Sequence, residues 1–167
     1  MNRQISHRGA SSAEAQTSAQ MVERWLRPLT ASALLLLLIQ FLMGMLANFF
    51  VVLPDQHPGS NASNYFAGVV QGDWWALGHG GWEVQIHVLV GLLLALASLT
   101  LLGLAIYLRR RLWVIVTALG WLGIFAAGFN GASFLNYGHD FSSLLMTIGF
   151  LLVVISYALG LYYTKPS

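Results

Sequence analysis

The sequence predicts an all-α integral membrane protein: a four-helix bundle running up-down-up-down, with both termini on the cytoplasmic side. Three observations predict it. Of 167 residues, 57% are hydrophobic and only 8% are charged, against about 25% charged in a soluble domain. Four apolar stretches are each long enough to cross a hydrocarbon core, which takes roughly 20 residues at about 1.5 Å per residue. All eight Lys and Arg lie at one end of those stretches, in the N-terminal arm, at Arg109, Arg110 and Arg111, and at Lys165. The positive-inside rule places that end in the cytoplasm and the other connections outside.

Taken in order, residues 1–28 form a polar cytoplasmic arm with Arg3, Arg8, Arg24 and Arg27 against Glu14 and Glu23. Its Ser/Ala/Gln-rich part, 9–20, has little to bury and is predicted mobile. A short amphipathic lead-in over 22–26 uses Trp25 as an interfacial anchor. The long basic region, the full-length apolar run behind it and the lack of a nearby small-x-small site argue against a cleaved signal peptide. Residues 29–167 form the transmembrane domain.

Its helices are predicted at 29–53, 83–108, 112–134 and 141–163. The first ends before Pro54. An outer loop, 54–82, follows, rich in Gly, Ser and Asn. Its Tyr65 to Val70 part is apolar enough to dip into the interface. Trp74, Trp75 and Trp82 fit an aromatic belt. Asn61-Ala62-Ser63 matches a glycosylation sequon, a pattern common by chance. The short connections at 109–111 and 135–140 make the last three helices antiparallel neighbours.

Composition also excludes functions. No large polar block allows a second soluble domain. Without cysteine there are no disulfides, thiolate metal sites, iron–sulfur clusters or covalently attached haem. No phosphate loop, nucleophile triad or nucleic-acid patch appears.

The polar residues of the spans collect toward the outer side. Gln40, Gly44 and Asn48 share a face of the first helix, and Glu83, His87, Gly91 and Leu94 a face of the second. Gly120, Gly123, Ala127 and Asn130 share a face of the third. His139, Ser142, Met146 and Gly149 share a face of the fourth. Such seams serve close helix packing, with Asn or His bonding across the interface. They also suit a slot for a flat macrocycle, with a histidine ligand and a small residue one turn below it.

On the second reading His87 with Gly91 beneath it would hold haem b, with His139 or Met146 as the second axial ligand. His139 is equally a solvated lip residue, and Met146 equally core filling. Glu83 would orient His87 or carry a proton, or is simply an acidic helix start favoured by the dipole. A zinc or copper set of His79, Glu83, His87 and His139 is a further arrangement, without a tight spacing signature. The first and second halves echo each other loosely, which would place a site between them.

At Glu83-Val84-Gln85-Ile86-His87-Val88-Leu89-Val90-Gly91 the chain resembles small four-helix haem-b membrane proteins. The comparison is nearest to one four-helix half of the haem A synthase family. Val88 stands where that family has Arg, and only His139, at the lip, stands for its second histidine. The resemblance implies haem binding but not haem A synthesis. Two functions follow as expectations. One is a haem-b electron-transfer or membrane-anchor protein working between a quinone and an outer partner. The other is an accessory or assembly subunit of a larger respiratory or photosynthetic complex, with no cofactor of its own. A transporter would want a mid-membrane charge, and none is present.

Overall fold

A computed structural model describes residues 3–52 and 54–163, with side chains from Met21 onward except Val22. Lys165, one of the topology markers, lies outside the described residues. The protein is all-helical, with α1 Arg3–Phe50, α2 Tyr65–His79, α3 Gly81–Tyr107, α4 Arg111–Tyr137 and α5 Asp140–Tyr163. Four of these contain spans long and apolar enough to cross a membrane: Glu23–Phe50, Gly81–Tyr107, Arg111–Tyr137 and Asp140–Tyr163. It is an integral membrane four-helix bundle with one extra helix at the end opposite the arginines.

The structure departs from the sequence reading in two places. The stretch predicted mobile, 9–20, is the continuation of α1, which runs unbroken from Arg3 through Pro28. Its Ala, Gln and Glu are strong helix formers, and a preformed span behind them removes the cost of nucleation. The predicted loop 54–82 contains α2. Asn64 caps it, its side chain accepting from Ala67 N at 3.0 Å. Three internal glycines hide α2 from a propensity reading, because its stability comes from packing. Gly81, at φ 77, turns the chain from α2 directly into α3. Arg109, at φ 52, makes the tight turn between α3 and α4.

The spans form a ring. α1 packs on α3 and α5, α4 packs on α3 and α5, and α3 and α5 are diagonal to each other. α4 and α5 are the closest pair. A Cβ built on Gly149 would lie 2.8 Å from Ala127 N and 2.8 Å from Gly123 O. The Tyr157 ring lies flush against Gly120. Here the glycine seams serve close backbone approach.

Packing is uneven along the membrane normal. The buried core joins Leu26, Ala33 and Leu37 of α1, Leu94 and Leu101 of α3, Trp113 and Val116 of α4, and Val153 and Tyr157 of α5. Measured from the end of the bundle that carries the arginines, these residues fill the nearer half. Beyond them lies a slab in which no described residue is buried: 38–52, 85–93, 124–132 and 143–148. Farther out the chain closes again, where α2 lies on α3 and α4.

Candidate functional site

The loose slab holds Gln40, Gly44, Asn48, His87, Gly91, Asn130 and Met146. Of the ligands that the sequence proposes, His87 and Met146 lie in it, whereas His79, Glu83 and His139 lie outside it. The structure sorts them into separate contacts.

His87 and Gln40 meet across the α1–α3 seam, Gln40 Nε2 to His87 Nε2 at 3.2 Å. The imidazole edge fits the notch at Gly44, where a Cβ would stand 2.9 Å from His87 Cε1. Gly91 in turn faces the Gln40 amide, 3.1 Å from the position of its Cβ. Each helix therefore offers a polar knob and, one turn away, a glycine notch for the other's knob. Gln40 Oε1 and His87 Nδ1 are buried without a hydrogen-bond partner, so the pair is half-satisfied. Leaving one partner buried alone costs more than removing both. Gln40→Leu is expected to lower stability by about 1 kcal/mol. Gln40→Leu with His87→Leu is expected to recover most of that loss. A double-mutant cycle of unfolding in detergent checks this.

The remaining predicted ligands lie elsewhere. Met146 packs its sulfur on Gly131 of α4, 3.3 Å from the place of a Cβ. His139 is exposed and stacks on Tyr137, ring centroids 5.7 Å apart. His79 stacks on Trp75 at 4.7 Å and hydrogen-bonds Trp75 O through Nδ1 at 2.9 Å. Among the described residues no three His, Asp or Glu side chains are placed to hold a metal ion. The His79, Glu83, His87 and His139 set is therefore not assembled.

The two residues of each proposed haem pair do not meet in this arrangement. His87 faces α1 rather than α5, Gln40 fills the notch over Gly91, and the two proposed second ligands sit across the bundle's diagonal.

The cap that α2 forms at the end opposite the arginines was not legible as a unit. Asn136 of α4 is buried against Gly59 and Gly72, donating from Nδ2 to Gly59 O at 3.3 Å. Tyr137 OH packs on Gly68 and donates to Tyr65 O at 3.2 Å. The Tyr65 hydroxyl continues through Ser133 to Ser142 of α5, the last step at 3.0 Å. A signal was present, since Gly68 and Gly72 are one turn apart as in small-xxx-small packing motifs.

The opposite face of α2 carries Phe66, Val70 and Trp74, at 65%, 67% and 78% exposure. Gln56, His57, Ser60 and Asn61 of the preceding loop, with Gln71 of α2, line an open polar dish of about 520 Å³.

Asp73 lies on α2, half-buried, and burial pushes its carboxyl up from 3.8 to about 6. The folded cap thus holds a proton that the unfolded chain releases over that window. This contribution is greatest below the window and is lost as pH rises through about 6. The difference in thermal midpoint between the native chain and Asp73→Asn should therefore grow in the variant's favour from about pH 4.5 to about pH 7.5. Tryptophan fluorescence during heating reads it.

Comparisons of the chain with protein-family models, with characterised proteins and with solved structures find no match.

Proposed function

We propose that the protein is a cofactor-free accessory subunit of a larger membrane complex, and that a partner's transmembrane helix covers the outer half of α1. One observation carries this reading: beyond Leu37, α1 has no buried residue. Asn48, Phe49, Phe50 and Val52 are all exposed there. Aliphatic side chains are content in lipid, but an exposed asparagine at the end of a span gains from a hydrogen-bonding neighbour helix. The setting we infer is a bacterial cytoplasmic membrane with both termini inside, supported by the one-sided distribution of basic residues.

The chain lacks cysteine, so single-cysteine variants report cleanly. Asn48→Cys in native membranes should cross-link to a different chain, while Ile115→Cys on α4 should not. Cross-linking at neither position, with the protein migrating as a monomer after mild solubilisation, would overturn the reading. An absorption spectrum of the purified protein tests the haem alternative. A Soret band with dithionite-reducible α and β bands would replace the accessory role by a haem-b role, and with it restore a quinone as a partner.

A further inference from the structure

We propose that Arg24, Arg109 and Arg111 form a binding site for the phosphate of an anionic phospholipid at the basic end of the bundle. The proposal does not depend on the accessory role.

The site is organised by an ion pair. Arg110 Nη2 reaches both carboxylate oxygens of Glu23 at 2.8 Å, which fastens the α3–α4 turn to the start of the α1 span. That contact uses Arg110 and Glu23. Because Arg24 follows Glu23 in the chain and Arg109 and Arg111 flank Arg110, the same contact sets the α1 turn that carries Arg24 near the α3–α4 turn. All three are exposed. Arg27 has a different task, donating from Nη1 to Leu161 O at 2.9 Å near the end of α5. The rim thus keeps an excess of positive charge after its structural pair is formed.

The surroundings decide for a lipid over a free anion. Trp25 and Tyr107 flank the rim with 58% and 61% exposure, as side chains at headgroup depth do. Just below them Ile106 and Leu112, at 56% and 44% exposure, offer an apolar wall for acyl chains. A phosphodiester held by guanidinium groups, with its chains along that wall, satisfies charge and apolar surface together.

The test uses the full chain in mild detergent, with phosphatidylglycerol and phosphatidylcholine of equal chain length competing for it in native mass spectrometry. Each basic residue near an anionic membrane surface contributes roughly fivefold, so a preference for phosphatidylglycerol of about tenfold or more is expected. Arg24→Gln with Arg109→Gln and Arg111→Gln should reduce it below about twofold. The corresponding Lys variant, which keeps the charge should the Gln variant fail to fold, should keep the preference and lose it on addition of salt. Competition by inorganic phosphate would overturn a lipid site in favour of a free-anion site. Equal retention of the two lipids by the native chain, or a preference unchanged in the Gln variant, would overturn the proposal altogether.

Discussion

Gly149→Val is expected to unfold the α4–α5 pair, lowering the stability of the bundle by about 3 kcal/mol. The reason is geometric. At Gly149 even a Cβ would meet backbone atoms, Ala127 N and Gly123 O, both at 2.8 Å. Backbone cannot rotate aside as a side-chain tip does, so the helices must separate. Separation also strips Val153 and Tyr157, both fully buried, of their contacts with α4. Gly103→Ala and Gly128→Ala serve as controls, because nothing lies within 4 Å of a Cβ at either position. They should not destabilise the bundle, and the helical preference of Ala over Gly should stabilise it by up to about 1 kcal/mol. Thermal unfolding followed by circular dichroism in one detergent separates the two classes. Equal midpoints for Gly149→Val and Gly103→Ala would refute the close crossing.

Gly72→Val is expected to lift the cap while leaving the spans intact. Asn136 lies against Gly72 so closely that no Cβ fits between them. Relief requires either a shift of α2 or loss of the Asn136 bond to Gly59 O at 3.3 Å. Because α2 rests on α3 and α4 with no close approach to α1 or α5, its release leaves the inner core untouched. Cap opening should rise roughly tenfold or more, the equivalent of about 1.4 kcal/mol. Limited proteolysis in the 51–64 segment reads the opening, and helix content should hardly change. Asn136→Ala would relieve the clash, so the pair Gly72→Val with Asn136→Ala should be cleaved more slowly than Gly72→Val alone. A cleavage rate unaffected by Gly72→Val would show that the cap is not held there.

The sequence by itself determined the membrane class, the four spans and their alternation. Those follow from length, hydropathy and composition, which act on each segment separately. It also placed Gln40, His87, Gly91, Asn130 and Met146 toward one side of the spans, and all five fall in one slab of the bundle. What only the tertiary structure decided is which of them meet. A helical face is shared by several residues, and periodicity cannot say which neighbour it turns toward. Here His87 turns to Gln40 and Gly44 on α1, while Met146 turns to Gly131 on α4, so residues at one depth do not converge. The cap lay beyond local reading for a related reason. A short helix with three glycines has little propensity of its own, and α2 exists because those notches let Asn136 and Tyr137 approach its backbone. Segment identity is a property of local chemistry, and contact is a property of where the other helices stand.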